Sequence, residues 1–376
     1  MKATHVCLIS EQPIPNLVPL LHEKPARAVF LVSAEMKEKA ARLVRILQPH
    51  GIKLEMCMIS PYNFGEVAKI CEKIIENTPG ALVLNVTGGT KISAMAAFQS
   101  FYFSERACRI IYLHTAANSL LHLAPEEGSE VIGNLVSVKE CLASYGLDMT
   151  NKGCLPANSE QRVPHLNDLC RLFVMNESLL ARFNGAISQN TSQGRYANIT
   201  LNTLGKHGDD LVLILEKSHV AARTGSGMLN ISSAEKLFFC HGGWLEEYVF
   251  HAVRNLRIKG LKPLINVKVA WDGSGPRPTT NEFDVLFTNS NRLHLISCKT
   301  SDLDRQTAGS VKGKEALYEL DSLSEAAGGL FGRAMLCSAK KLASHSLKRA
   351  EMLNIKVVDG AELFKLPEIL RKWCGK

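Results

Sequence analysis

ALVLNVTGGTKISAMAAFQSFYF, residues 81–103, decides the fold. Its opening run is apolar throughout and has the length of a short strand. Two glycines interrupt it, and from Lys91 the pattern is helical. A strand that is apolar on both faces belongs in a parallel sheet covered by helices on both sides. The same alternation runs through the first 120 or so residues. THVCLIS (4–10), ARAVFLVSAEM (26–36), KLEMCMIS (53–60) and CRIIYLHT (108–115) are further apolar runs. EMKEKAARLVRILQPHG and NFGEVAKICEKIIENTPG carry the helical spacing between them. The expectation is an α/β protein whose residues 1–135 form a Rossmann-like, doubly wound parallel sheet.

At 376 residues the chain exceeds one typical domain. A hydrophobic fraction of 46% and a charged fraction of 21% describe an ordinary globular protein. The net charge of +8 suits a polyanionic partner, and it suits plain solubility equally. The 11 cysteines are odd in number, irregularly spaced and never C-x-x-C, which supports neither a disulfide framework nor a zinc site. Reduced thiols in the cytoplasm are the expectation. MKATHVCLIS enters a strand-like run at once, so no signal peptide is expected. No apolar stretch approaches the roughly 20 residues of a membrane span.

Beyond residue 135 the pattern changes. VSVKECLASYGL and NDLCRLFVMNESLLARFNGAIS read as helices, and NTSQGRYANITLNTLGKHGDD reads as a polar loop. Residues 136–235 are therefore expected to be a helical linker or a small winged-helix-like domain. From 236 a third pattern follows. GGWLEEYVFHAVRNLRIKG is a helix with glycines before it and closing it. INVKVAWDGSGPRPTT reads as a strand entering a loop, and NEFDVLFTNSNRLHLISCKT (281–300) as a hairpin. With GKEALYELDSLSEAAGG, RAMLCSA and SLKRAEMLNIKVVDGAELFKL, residues 236–376 follow the order α-β-β-β-α-β before a helix–strand–helix ending.

In open α/β sheets, ligands bind at the carboxyl ends of the strands. Here those ends are Ser10-Glu11-Gln12, Ser33-Ala34-Glu35, Thr87-Gly88-Gly89-Thr90-Lys91 and His114 through Ser119. The VTGGTK turn permits close backbone approach, and free N–H groups at a helix start favour an anion. It is neither a P-loop nor G-x-G-x-x-G, which leaves a nicotinamide-dependent enzyme poorly supported. A tight turn without a ligand fits the same residues.

ISEQPIPNL, FLVSAEM, LNVTGGTKISAMAAF and IYLHTAANSL together resemble the CRISPR-associated Rossmann fold (CARF) domain. That resemblance implies a homodimer binding a cyclic oligoadenylate, most often cyclic tetraadenylate. Carried over residue by residue, it nominates Ser10, Gln12, Ser33, Thr87, Gly88, Gly89, Thr90, Lys91, Met95 and Asn118 as ligand contacts.

The hairpin raises a separate question, because Asp284 and Lys299 lie inside apolar strands where unpaired charge is costly. With the turn at Asn289-Ser290-Asn291, Asp284 falls opposite Ile296 or Ser297. Ser297 and Lys299 are two apart and share a face. Glu246 and Glu247 flank the apolar stripe of the preceding helix, so either could reach the sheet edge. A helix carboxylate, a strand Asp and an acid-x-Lys resemble the PD-(D/E)xK restriction-endonuclease-like core. GGWLEEYVF, NEFDVLF, LHLISCKT and the ALYEL helix resemble CARF-fused nucleases of that class. The resemblance implies a metal-dependent endonuclease that cuts single-stranded DNA or RNA and nicks duplex DNA. It places Mg²⁺ or Mn²⁺ on Asp284, Glu246 or Glu247 and the Cys298 carbonyl, with Lys299 facing phosphate.

One residue departs from the signature: Ser297 stands two before the lysine, where an acid is usual. An acid elsewhere (Glu246, Glu247 or Glu282) compensates, or the site is weak and serves only to bind nucleic acid, or the serine is an inactivating replacement. A ligand-responsive nucleic-acid-binding regulator with a degenerate nuclease domain is the competing function. A buried Asp284–Lys299 ion pair is the plain structural alternative. Lys312, Lys314, Lys340, Lys341, Lys348 and Arg349 are candidates for a basic surface near the cleft. Tyr318 either approaches that cleft or packs in the core, and His251 and His294 read as structural.

Overall fold

The computed structural model describes residues 3–375 apart from 157, 193–195, 226, 272–279, 305 and 308–309, so the loop expected after Trp271 lies outside the described residues. The amino-terminal sheet is built from β1 (Thr4–Leu8), β2 (Arg27–Val32), β3 (Lys53–Met58), β4 (Leu82–Asn85), β5 (Cys108–His114), β6 (Ser119–Ala124) and β7 (Gly128–Val131). Helices α1 (Ile14–Glu23), α2 (Lys37–Leu47), α3 (Phe64–Asn77) and α4 (Lys91–Tyr102) connect the first five strands. The strand order is β3-β2-β1-β4-β5-β6-β7. Strands β1 to β5 are parallel, as their apolar runs require, but β6 and β7 pair antiparallel. The sheet is therefore mixed rather than wholly parallel. The reversal sits at Asn118, whose φ of +51° is one that Asn tolerates better than most residues. Cys7, Phe30 and Val83 pack toward α1 and α2, while Val6, Leu31 and Leu84 pack toward α3 and α4.

Helix α5 (Val138–Ser144) starts on a reciprocal Ser137–Glu140 capping box and leads into β8 (Leu147–Met149). The middle region holds α6 (Val163–Met175), α7 (Glu177–Asn190), β9 (Thr191–Ser192), β10 (Tyr196–Thr200), α8 (Gly208–Lys217), β11 (Ala222–Thr224), β12 (Met228–Ile231) and α9 (Ala234–Phe238). Its antiparallel sheet has the order β11-β12-β10-β9. The polar loop expected over 190–210 thus contains two strands and the start of a helix. Ala197 and Ile199 alternate inward between polar neighbours, a signal too short to stand out. The single helical reading of 167–188 also divides, at Asn176.

The carboxyl-terminal part comprises α10 (Trp244–Arg254), β13 (Leu264–Trp271), β14 (Thr280–Asn289), β15 (Arg292–Lys299), β16 (Gln306–Thr307), β17 (Ser310–Val311), α11 (Lys312–Gly328), β18 (Arg333–Ser338), α12 (Ser344–Met352), β19 (Lys356–Asp359) and α13 (Leu366–Trp373). Its sheet runs β19-β18-β15-β14-β13-β8. Helix α10 ends at Arg254 rather than at Gly260, which makes a later turn beside Asn134. The hairpin turn is Ser290-Asn291, with φ of +50° and +58°, the left-handed pair of a two-residue hairpin. Val285 pairs with Ile296 and Asn289 with Arg292, and continuing that register sets Asp284 opposite Ser297.

Candidate active site and ligand cleft

Past Val285 the carboxylate of Asp284 replaces a backbone acceptor. Its Oδ2 accepts the Cys298 N–H at 2.6 Å and the Ser297 hydroxyl at 3.2 Å. A strand residue's N–H and C=O point to the same side, so the Cys298 carbonyl also lies toward β14. Asp284, Ser297 and Lys299 share one face, and Lys299 makes no ion pair with any described residue. The buried Asp284–Lys299 pair is therefore absent among the described residues.

Glu246 and Glu247 are neighbours on α10, about 100° apart around the helix. That rotation separates their partners completely. Glu247 is buried and bonded to Arg162 of the middle region at 2.6 Å. Arg162 also pairs with Glu235 and lies over the Phe239 ring at 4.9 Å. Burial lifts the Glu247 carboxyl to about 7 against the pull of Arg162. Glu246 instead faces the hairpin. Burial, then the charges of Asp284 and Glu282, hold its carboxyl well above the usual range, while Lys299 opposes them. Its Oε2 is buried without a hydrogen-bond partner. Glu282 pairs with Lys268 at 3.8 Å.

Two carboxylates, one of them with an orphaned oxygen, and a carbonyl form a donor set of the hard-oxygen kind that suits Mg²⁺ or Mn²⁺. The set is short of ligands: among the described residues no three His, Cys, Asp or Glu side chains converge as a complete metal site. Asp284 lines a separate small cavity with Ser297 and Lys299, while Glu246, Cys298 and Lys299 open onto a cleft of about 590 Å³. Its opposite wall is α7, which contributes Asn184 and Ser188, and His241 completes the rim. His241 Nε2 lies 3.2 Å from the Ser188 hydroxyl, and Asn184 Oδ1 is buried without a partner. None of these three stood out in the sequence, because their relevance depends on how the middle region docks. Lys340 lines the cleft but is paired with Asp302 at 3.6 Å. Lys314, Lys341 and Lys348 are exposed, Arg349 is half-buried, and the side chain of Lys312 is outside the described ones. Tyr318 is exposed on α11. His251 and His294 are buried.

The ligand candidates gather at the carboxyl ends of β1, β2, β4 and β5. Gly88 abuts β1 so closely that a Cβ there would lie 2.2 Å from the Leu8 carbonyl oxygen, and Gly89 has φ +80°. The two threonine hydroxyls hold the turn itself. Thr87 Oγ1 donates to Asn85 at 2.6 Å and accepts the Leu113 N–H at 2.8 Å. Thr90 caps α4 by accepting the Ser93 N–H at 3.1 Å and donates to the Pro61 carbonyl at 2.7 Å. The expected anion donors therefore reduce to backbone N–H groups at the helix start and exposed Lys91. Asn85 donates to Asn16 Oδ1 at 3.0 Å, and Asn16 donates to the Leu8 carbonyl at 2.8 Å. This buried pair, which ties β1 to β4, was not anticipated. Ser33 is buried, and the Ser10 hydroxyl turns to the Gln12 carbonyl at 3.4 Å. Met95 is exposed and lines an apolar hollow of about 430 Å³ with Phe64 and Phe98. Gln12 and Asn118 reach away from the turn: Gln12 Oε1 accepts from Tyr145 and from the Leu330 N–H, and Asn118 Oδ1 accepts from Asn291.

Residues 4–141 match the family model described as the Card1 CARF domain, and residues 233–376 match the one described as Card1-like, endonuclease domain. Among solved structures the chain resembles Can2 from Sulfobacillus thermosulfidooxidans, solved in complex with cyclic tetra-adenylate. The two are 28% identical over 99% of each chain, with a TM-score of 0.78. Protein VC1899 from Vibrio cholerae is 23% identical over 99% of this chain and 98% of its own, with a TM-score of 0.87. A type III CRISPR defence DNA nuclease activated by cyclic oligoadenylate is 17% identical over 90% of this chain and 45% of its own, with a TM-score of 0.56. The last two are likenesses of fold alone. No curated protein matches the chain.

Proposed function

The chain joins a Card1 CARF domain to a Card1-like endonuclease domain, and from that premise we propose that it is a cyclic oligoadenylate-activated, metal-dependent nuclease of type III CRISPR defence. Residues 1–135 sense the ligand, 136–235 form a winged-helix-like middle domain, and 236–376 form the PD-(D/E)xK nuclease. The protein works in the cytoplasm as a homodimer, with cyclic tetraadenylate across the paired VTGGTK turns. It cleaves single-stranded DNA or RNA and nicks duplex DNA with little sequence preference. The observation that carries this reading is the approach of Glu246 to Asp284 and Lys299 at one end of the hairpin, beside the cleft that Glu246, Cys298 and Lys299 line.

Asp284, Glu246 and the Cys298 carbonyl would hold Mg²⁺ or Mn²⁺. Once bound, such an ion neutralises charge on the scissile phosphate and makes a water more acidic. Lys299 supplies a cation to the charge that develops on phosphate oxygens. The Cys298 N–H and Ser297 hydroxyl orient the Asp284 carboxylate. Asn184, Ser188 and His241 offer hydrogen bonds to a strand lying in the cleft, with no reading of bases. At the sensing end, backbone N–H groups and Lys91 take phosphates, and Met95 offers an apolar shelf to adenine.

The test is cleavage of labelled single-stranded DNA and RNA in Mn²⁺, with and without cyclic tetraadenylate, beside Asp284→Ala. Ligand-dependent cutting that the variant loses is the expected result. Tight ligand binding without any cutting supports the second reading, a ligand-responsive nucleic-acid-binding regulator. Ser297 favours that reading.

A further inference from the structure

The turn end of the hairpin, remote from Asp284, borders a separate cavity of about 580 Å³, which Thr288 lines. Leu135, Val136, Val138, Met149 and Leu264 give it an apolar floor. The polar groups on its walls are engaged inside the protein. Asn134 Nδ2 donates to the Gly260 and Thr288 carbonyls at 3.0 and 2.9 Å, and its Oδ1 accepts the Asn291 N–H at 3.1 Å. Asn151 donates to the Asn266 carbonyl at 2.6 Å and accepts the Lys268 N–H at 3.0 Å. Ser137 is held in its capping box with Glu140. The charges are not engaged. Lys139, Lys152 and Lys262 line the cavity, and no carboxylate among the described residues does. None of the three ammonium groups makes an ion pair with any described residue.

We propose that this cavity is a further ligand site, and that it takes a nucleoside triphosphate. A floor without free donors or acceptors suits the flat face of a base. Three unpaired ammonium groups suit a ligand with several negative charges, and phosphate oxygens make charge-assisted hydrogen bonds to them. The volume lies in the range of roughly 300–1,000 Å³ usual for small-ligand pockets. Lys139 belongs to the stretch matched to the sensing domain, Lys262 to the stretch matched to the nuclease, and Lys152 lies between the two. Phosphates shared among these lysines brace the joint that Asn134 already ties. The site goes beyond the nuclease reading and needs no cleavage, so it stands or falls separately.

Titration calorimetry of the full-length protein with ATP, beside tripolyphosphate and adenosine and without added metal, tests the site. ATP should bind more tightly than either fragment. The double variant Lys152→Glu with Lys262→Glu should weaken ATP binding by about tenfold or more, the loss expected when hydrogen bonds to charged groups go. Leu135→Trp fills the floor and keeps every charge. It should weaken ATP binding while tripolyphosphate binds as before. All three positions are exposed, so melting temperatures should stay unchanged. The proposal is overturned if ATP fails to bind, or if either variant binds ATP as the unaltered protein does. Tripolyphosphate binding as tightly as ATP would reduce the site to an anion patch and overturn the nucleoside assignment. ATP that survives the charge reversal but is displaced by saturating cyclic tetraadenylate would sit at the sensing turns instead.

Discussion

His294 is a titratable ring sealed inside the carboxyl-terminal core. It stacks on Phe287 at 4.8 Å and meets the edge of Trp373 at 4.7 Å. Burial drives its pKa down to about 3; the carbonyl of Arg292 opposes that, and the charges of Arg333 and Arg292 add to it. The unfolded chain has a histidine near 6.5. Between those values the unfolded state binds the extra proton, so stability is whole above about pH 6.5 and drains away as the pH falls toward 3. The loss amounts to roughly 4 kcal/mol across that window. His294→Phe removes the titration and should flatten the urea midpoint between pH 6 and pH 4. A midpoint that falls as steeply in the variant assigns the acid limb to other groups. The Glu247–Arg162 pair sets a second expectation at this scale. Arg162→Met leaves a buried carboxylate unpaired, which costs about 3–5 kcal/mol when a buried pair is broken, so the variant should melt markedly earlier at pH 8 than the unaltered protein. The sequence could nominate both Glu246 and Glu247 but could not divide them. The division depends on an arginine 85 residues away.

Elements with strong periodicity were legible, and those set by turn chemistry were not. The five parallel strands and the hairpin register follow from runs and alternation within the chain itself. The reversal at Asn118 and the strand at Tyr196–Thr200 depend on one residue's backbone and on two inward side chains. The wall that α7 gives the cleft is a docking fact with no local pattern. Two glycines test how far an element's role can be read from its surroundings. Gly88 sits against the Leu8 carbonyl, a backbone atom that cannot move aside. Gly88→Ala should cost about 1–3 kcal/mol, as overpacking does, and weaken cyclic tetraadenylate binding by parting β1 from the turn. Gly185, inside α7, has nothing within 4 Å of its missing Cβ. Gly185→Ala should therefore gain about 0.5–1 kcal/mol from helix propensity alone. Thermal melts of the pair should move in opposite directions.

Across the whole molecule, the two ends of the hairpin face different tasks. One end holds Asp284 and Lys299, and the other is bolted to the sensing domain. Asn291 in its turn accepts the N–H groups of Leu135 and Val136 at 2.7 and 3.1 Å and donates to Asn118 and to the Gly133 carbonyl, both at 2.8 Å. A second tie runs from Gln12 to Leu330, just past the end of α11. Both ties start at strand ends where the ligand is proposed to bind, and both finish on elements that line the proposed active site. Coupling between two sites must be reciprocal in binding free energy. In the unaltered protein, loading the nuclease with Ca²⁺ and a short single-stranded DNA should therefore change the affinity for cyclic tetraadenylate, typically by about 5–150-fold. Asn291→Gly keeps the left-handed turn that glycine also accepts, and it removes the four side-chain bonds. In that variant the ligand should still bind, while its affinity stops responding to the loaded nuclease and cleavage stops responding to the ligand. Calorimetry on the loaded and empty forms reads the first effect. If coupling survives in Asn291→Gly but vanishes in Gln12→Ala, α11 carries the signal rather than the hairpin. Survival in both variants would place transmission elsewhere, at the dimer interface that the sensing domains are proposed to share.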